Sequence, residues 1–423
     1  MRIGIIGVGT VGSGVVEIIE SMQAEWRTQG VDATLAMICA KNEEELTPYR
    51  AKGYPVTTDA NTLLHHPEID VLVELAGGYE LPRKWITLAL ENGKHVVTAN
   101  KALLAKYGHE IFPLASKKGR HVLFEAAVGG GIPIIRSIQE SFTGNRIESL
   151  SCIINGTCNY ILTQMSQFGL SFSEALQQAQ ANGFAEADPS FDIEGIDAAH
   201  KTALLASLAS GKRVDFQRIH ITGITNITAQ DIQYAKEFDC CIKLLGNFRR
   251  MGTRVDARVH PCLVHTGHLL SSVNGVLNAV YLECDNLGPT LQTGAGAGKL
   301  PTASAVAADL VFLARSEGRS PLPMEWFCEQ NNAELMPIGE LETRYYFRFT
   351  TKDSCGVLAS ITSILSKNAI SIESILQKGV RDPGKVDVVV VTEKTRESAV
   401  KSALTAIDAL DAVTEPSRMI RFL

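Results

Sequence analysis

The sequence predicts an α/β protein in three parts. A Rossmann-type parallel sheet comes first, an α+β segment follows, and a small βαββαβ sandwich closes the chain. Three observations carry that reading. Short apolar runs alternate with helix-spaced apolar residues through the first 130 residues. A G-x-G-x-x-G turn follows the first of those runs. From Tyr345 onwards the runs read strand, helix, strand, strand, helix, strand. The 423 residues suffice for two or three domains. With 45% hydrophobic and 20% charged residues, a large core forms and wholesale disorder is excluded. The 40 basic residues against 46 acidic ones leave a net charge of −6, which excludes a general nucleic-acid binder. Nine cysteines, an odd count with no C-x-x-C, point to a reducing, cytoplasmic setting. No uncharged apolar run reaches the roughly 18–20 residues that span a bilayer, so no membrane partner is expected.

In the first part, residues 3–6, 35–39, 71–75, 95–98 and 122–125 read as strands, and 11–23, 81–91 and 102–117 as helices. Helices between strands imply right-handed crossovers and a buried parallel sheet. After Gly131, longer helices mix with amphipathic strands as far as about Cys284, and a helix over 303–315 returns to the first domain. The expected boundaries are 1–130 for the dinucleotide-binding domain, with 303–330 packing back onto it, and 131–302 for a catalytic and dimerisation domain. A polar linker is expected over 317–342 and the terminal sandwich over 343–423. Within that sandwich the strands are 345–350, 371–377, 386–392 and 413–420, and the helices 356–367 and 396–407.

The residues Gly7, Val8, Gly9, Thr10, Val11 and Gly12 form the glycine turn, directly after a strand and opening a helix. The first glycine allows the tight turn, the second lets a pyrophosphate approach the backbone, and the third lets helix and strand pack closely. The helix N-terminus adds a partial positive charge for the phosphates. The second strand runs into Ala40, Lys41 and Asn42 with no acid at its tip, so Lys41 favours NADP(H), with NAD(H) the alternative. Glu43–Glu45 come later and suit the start of the next helix.

Lys101 follows the strand 95–98 at its carboxyl end, the side of a parallel sheet that faces ligands. The densest chemistry lies in residues 183–201, where Glu186, Asp188, Asp192, Glu194, Asp197 and Lys201 gather around an Asp-Pro turn. Read as one helix after Pro189, Glu194, Asp197 and Lys201 share a face, and Asp197 and Lys201 form an acid-first i,i+4 pair. An exposed salt-bridged face would explain the pair alone, but not the clustering of acids around a lysine. A cleft lined in this way binds an amino acid's ammonium group and delivers a proton.

Residues 179–201 resemble the signature of homoserine dehydrogenases, and four further blocks, at 98–102, 124–133, 154–162 and 294–305, are similar to that family in the same order. The tail, with its turn at Asp353–Gly356, resembles an ACT domain. The resemblance implies interconversion of L-aspartate 4-semialdehyde and L-homoserine by hydride transfer with a nicotinamide cofactor. It implies Lys201 as proton donor, Lys101 beside substrate and nicotinamide, and Glu186, Asp192 and Asp197 as substrate-binding acids, with Thr157 near them. Asp197 also orients Lys201. Gly77 and Gly298 join the cofactor set, and a sodium ion is implied at Glu125 with the carbonyls of Val128, Gly130 and Ile132. Threonine is implied as effector of the tail, and a homodimer or homotetramer as the assembly. Lys299, Cys158 and the Ala40-Lys41 ending depart from the family pattern, and the last makes cofactor choice this chain's own question. Rival readings are an ACT-bearing hydroxyacid dehydrogenase, a thioester-forming semialdehyde dehydrogenase using Cys152 or Cys158, and a non-enzymatic redox sensor.

Overall fold

A computed structural model describes residues 1–316, 324–377 and 384–423. Residues 317–323, the start of the expected linker, lie outside that description. The chain begins β1 (Arg2–Ile6), α1 (Thr10–Thr28), β2 (Thr34–Cys39), α2 (Glu43–Ala51), β3 (Val56–Thr57) and α3 (Ala60–Leu64). It continues β4 (Val71–Glu74), α4 (Glu80–Glu91), β5 (His95–Thr98), α5 (Lys101–Lys118) and β6 (Val122–Leu123). These six strands form one parallel sheet in the order β3-β2-β1-β4-β5-β6. The central strands β1, β4 and β5 are apolar on both faces along most of their length and largely buried, as crossover helices on both sides require. The expected fifth strand stops at Leu123, because Glu125–Ala127 turns into a 3-10 helix.

The middle part comprises α6 (Ile134–Arg136), β7 (Ile147–Ile153), α7 (Gly156–Phe168), α8 (Phe172–Ala181), α9 (Ser190–Ile193), α10 (Ile196–Ser210), β8 (His220–Ile221) and α11 (Ala229–Glu237). Then come β9 (Cys240–Met251), β10 (Arg254–His265), β11 (Leu277–Cys284), β12 (Gly288–Ala295) and α12 (Lys299–Arg315). The segment after Pro189 is two helices, because Gly195 takes a left-handed φ of +86° between α9 and α10. A Cβ there would also crowd Ile221 and Val259. Glu194 is therefore exposed on the break, and only Asp197 and Lys201 share a helical face. Helix α12 returns to the first sheet and packs on α1, where a Cβ on Gly14 would lie 3.0 Å from that of Ala303.

The tail runs β13 (Glu342–Thr343), β14 (Tyr345–Lys352), α13 (Val357–Lys367), β15 (Ile372–Gln377), β16 (Lys385–Thr392), β17 (Thr395–Arg396), α14 (Glu397–Asp408) and β18 (Arg418–Phe422). Its last strand begins later than the sequence predicts: Val413 makes only an isolated bridge to Thr351, and Pro416 precedes the ladder. The second sheet continues through both parts in the order β12-β11-β7-β9-β10-β18-β14-β16-β15, with β8 alongside β10. Strand β18 joins β10 by two parallel pairs, Cys262 with Arg421 and Leu263 with Phe422. Beside that seam, Arg348 of β14 donates from Nε to Asp231 Oδ1 of α11 at 2.7 Å, both side chains being buried.

The connector is not a loose linker over its described length. Phe327 packs against α5 where Gly108 leaves room, and Met324 and Ala333 enter the same core. Among the described residues, no helix is long and apolar enough to cross a membrane.

Candidate active site

The glycine turn is built for a close approach on one side and tight packing on the other. Gly7 has a φ of +96°, and a Cβ there would lie 2.8 Å from the Ala76 nitrogen. A Cβ on Gly12 would strike the Gly7 carbonyl oxygen at 2.0 Å, whereas one on Gly9 would meet nothing within 4 Å. The second glycine thus opens onto free space, as a pyrophosphate needs, and the first turn of α1 carries neither a side-chain cap nor an acid. Val8 is buried under the turn, while Thr10 is exposed and Val11 half-buried at the helix start. Gly77 and Gly78, with φ of +72° and +82°, also border open space. Gly298 stands at the N-terminus of α12, with φ of +119°. The neighbouring Lys299 reaches away to Glu17 at 2.7 Å, which explains how a long side chain is tolerated there.

At the tip of β2, Lys41 is exposed. Two of the three nearby acids are engaged within α2: Asn42 caps the helix at the Glu45 nitrogen and donates to Glu45 Oε1, and Glu43 pairs with Arg50. Among the described residues Lys41 makes no ion pair, and no carboxylate stands between it and α2 in the sequence.

The two lysines that the sequence places far apart converge on one carboxylate. Asp197 lies in the first turn of α10 and is 4% exposed. Its Oδ2 accepts from Lys201 Nζ at 2.7 Å, and its Oδ1 lies 3.1 Å from Lys101 Nζ. Burial works to raise its pKa, but Lys201, Lys101 and Asn155 together outweigh burial and hold the carboxyl well below its usual range. Lys201 also donates to the Ile154 carbonyl at 2.9 Å. An ammonium has three protons, so two of those on Lys201 are spoken for and one remains. Lys101, at the start of α5, is the more exposed of the two, at 34% against 12%.

Asn155 completes the cluster and is the residue that sequence reasoning passed over. Its Nδ2 donates to Asp192 Oδ1 at 2.7 Å and to Asp197 Oδ2 at 3.0 Å, while its Oδ1 caps α7 at the Cys158 nitrogen. The available signal was its position before Gly156 and Thr157, an Asn placed to cap a helix. The Thr157 hydroxyl lies 2.6 Å from the Phe184 carbonyl and 3.0 Å from Asp192 Oδ2, so it braces the acid and the 182–189 loop. Glu186 stands exposed in that loop and makes none of the cluster's hydrogen bonds among the described residues.

Neither candidate thiol nucleophile is usable. Cys152 and Cys158 are fully buried; burial pushes the first up to about 12 and the second well above its usual value. His200, next to Lys201, is held down to about 4 by burial, its ring edge-on to Phe216. It is a packed aromatic rather than an acid–base group.

Glu125 is buried at the entrance to the middle part. Its two oxygens accept from the Ile135 and Arg136 nitrogens, each at 2.8 Å. Burial, followed by the nearby Asp309 carboxylate, pushes Glu125 up to about 7. Val128, Gly130 and Ile132 follow in a tight turn where Gly129 and Gly130 have φ of +76° and +57°. With the carbonyls of Val128, Gly130 and Ile132 the Glu125 carboxylate would make a hard-oxygen donor set, and a cation there would offset the burial of Glu125 beside Asp309.

Comparison with known proteins gives the chemistry a family. Residues 7–125 match the family model described as homoserine dehydrogenase, NAD binding domain, residues 133–311 match homoserine dehydrogenase, and residues 345–411 match the ACT domain. A homoserine dehydrogenase of Neisseria gonorrhoeae is 43% identical over 430 residues, covering 100% of this chain and 98% of that protein. One from Pseudomonas aeruginosa is 44% identical over 428 residues, with the same coverage. The crystal structure of a homoserine dehydrogenase from Thiobacillus denitrificans superposes with a TM-score of 0.94 at 43% identity, covering 100% of this chain and 98% of that one. A hyperthermophilic archaeal homoserine dehydrogenase in complex with NADPH superposes with a TM-score of 0.63 at 26% identity, over 75% of this chain and 98% of that one.

Proposed function

The chain belongs to the homoserine dehydrogenase family, an NAD(P)-dependent oxidoreductase with an ACT domain, and on that premise we propose that Lys201 is its proton-transfer group and NADP(H) its preferred cofactor. The observation that carries the proposal is the Lys101–Asp197–Lys201 bridge at the carboxyl edge of the parallel sheet. The nicotinamide supplies or accepts the hydride. In the reducing direction, Lys201 gives its remaining proton to the oxygen of L-aspartate 4-semialdehyde as that oxygen gains negative charge. Lys101 adds a second positive charge beside it. In the oxidising direction, Lys201 takes the hydroxyl proton of L-homoserine. Asp197 keeps both ammonium groups in place, and Asp192 and Glu186 receive the substrate ammonium. Thr157 serves the substrate indirectly, through Asp192.

Lys41 supports the NADP(H) preference, as does the archaeal relative's complex with NADPH. A sodium ion at Glu125 and the carbonyls of Val128, Gly130 and Ile132 would fix the turn that leads to α6. Threonine, the end product, is proposed as the effector of the tail, bound between ACT domains of a homodimer or homotetramer; the left-handed Gly356 that opens α13 supports a ligand turn there. The test is direct: L-homoserine with NADP⁺ or NAD⁺, followed by absorbance of the reduced cofactor, with and without threonine. Faster reduction of NADP⁺, slowed by threonine, is the expected result. No reduction of either cofactor, by a chain that binds NADPH, would favour the sensor reading.

A further inference from the structure

Glu74 ends β4 and is completely buried, an unusual place for a carboxylate in an otherwise apolar strand. Hydrogen-bond donors rather than cations face it among the described residues: the Ala76 and Gly77 nitrogens, the Thr98 hydroxyl and, nearby, the Asn100 amide. Its Oε1 accepts from the Ala76 and Gly77 nitrogens at 3.0 and 3.2 Å, and its Oε2 accepts from the Thr98 hydroxyl at 2.7 Å. Thr98 ends β5 directly opposite Glu74 in the parallel register. Its hydroxyl oxygen in turn accepts from the Asn100 nitrogen at 3.0 Å. Asn100 closes the circuit: its Nδ2 donates to the Gly78 carbonyl at 2.8 Å, and its Oδ1 caps α5 at the Leu103 nitrogen. Lys101 is the next residue.

One buried carboxylate thus ties two neighbouring strand ends together. The first carries the 75–78 loop, against which Gly7 of the glycine turn packs and whose Gly77 and Gly78 border open space. The second carries Lys101. We propose that Glu74 is a positioning residue for hydride transfer, holding the cofactor loop and the Lys101 segment in one fixed relation through Thr98 and Asn100. Burial raises its pKa, and the donors from Thr98, Ala76, Gly77 and Asn100 work against burial and make an ionised carboxylate tolerable at that depth. A glutamine of the same shape must point its NH₂ either at the loop nitrogens or at the Thr98 hydroxyl, so it cannot accept from both. The inference rests on the dinucleotide reading of the crevice.

The test uses the full chain with Glu74→Gln, Thr98→Val, Thr98→Ser and the double variant Glu74→Gln/Thr98→Val. Thr98→Val keeps the β-branched shape that the strand needs and removes only the hydroxyl that links the two ends. Thr98→Val and Glu74→Gln should each lower kcat about tenfold at saturating homoserine and NADP⁺, and the double variant should be no slower than either, because both break one circuit. Thr98→Ser should recover at least half of the wild-type kcat. Amide exchange at Ala76 and Gly77 should quicken in Thr98→Val, a readout independent of turnover, while its NADPH dissociation constant stays within about threefold of wild type. A Thr98→Val chain with kcat within twofold of wild type and unchanged exchange at Ala76 and Gly77 would overturn the proposal, as would an additive loss in the double variant. Either result, with wild type still oxidising homoserine, leaves the family reaction standing and removes only the role of Glu74.

Discussion

Replacing Lys201 by Met is the sharpest test of the catalytic assignment. The side chain is 12% exposed and its stem packs in the interior, so a methionine of similar length occupies the same path. The change removes three protons from the site. One binds the Ile154 carbonyl, one binds Asp197, and the third is the one assigned to substrate. Asp197 keeps Asn155 at 3.0 Å and Lys101 at 3.1 Å, so its buried charge is not abandoned and the fold should survive. Loss of a positioned general acid costs about 10²–10⁴ in rate, or roughly 3–5 kcal/mol of barrier. The assay is NADP⁺ reduction by L-homoserine at saturating substrates, with NADPH affinity measured in parallel by fluorescence titration. The expected outcome is a kcat at least a hundredfold lower with NADPH affinity within about threefold of wild type. Lys201→Arg should rescue little, because guanidinium holds its proton at every accessible pH. A Lys201→Met chain retaining a tenth or more of wild-type kcat would refute the proton-transfer role.

Three other outcomes follow from the same geometry. Asn155→Ala removes the donor shared by Asp192 and Asp197; charge-assisted hydrogen bonds of this kind are worth about 1.5–3 kcal/mol, so the KM for homoserine should rise at least tenfold while NADPH binding is unmoved. Gly12→Ala forces a methyl to within 2.0 Å of the Gly7 carbonyl oxygen, and NADPH binding should weaken by at least about tenfold in a titration of the folded variant. His200, held down to about 4 against an unfolded value of 6.5, refuses a proton that the unfolded chain accepts between those values. Stability therefore falls on acidification through that window, by at most about 1.4 kcal/mol per pH unit from this residue. Glu125 and Asp309, pushed up to about 7 and about 6, work in the opposite sense. The measurement is accordingly the difference between wild type and His200→Phe in denaturant unfolding: the variant should gain relative stability from pH 6.5 to 4, and a constant difference would contradict the assignment.

The features legible in the sequence were those encoded locally. Gly7, Gly9 and Gly12 follow a strand and open a helix, so their spacing alone carries the turn. Asp197 and Lys201 lie one helical turn apart, and i,i+4 geometry brings them together whatever else the chain does. What escaped was set by tertiary contact. Lys101 meets Asp197 from another part of the chain, and Asn155 works through acids 37 and 42 residues away. The helix break at Gly195 was hidden because acids spaced correctly for one helix surround it; what makes the break is the left-handed φ of Gly195, with Ile221 and Val259 packed where a Cβ would stand. In the connector, Met324, Trp326 and Phe327 were the visible sign that a polar, Pro-bearing stretch would be drawn into the core. Only Gly108, more than two hundred residues earlier in the chain, shows where Phe327 goes.

The seam between the catalytic sheet and the tail bears on how regulation can be studied. Regulatory domains are often cut away to ask whether they matter, yet here the tail supplies the strand that covers the free edge of β10 at Cys262 and Leu263. It also supplies the guanidinium that neutralises Asp231, itself half of the capping box that starts α11. Truncation before Tyr345 would strip Asp231 of both Arg348 and Tyr346, and would bare a sheet edge able to pair with another chain. An insensitive truncated enzyme would then report damage to α11 and β10 as readily as a missing effector site. Point substitutions around Asp353–Gly356, which leave the seam intact, separate the two.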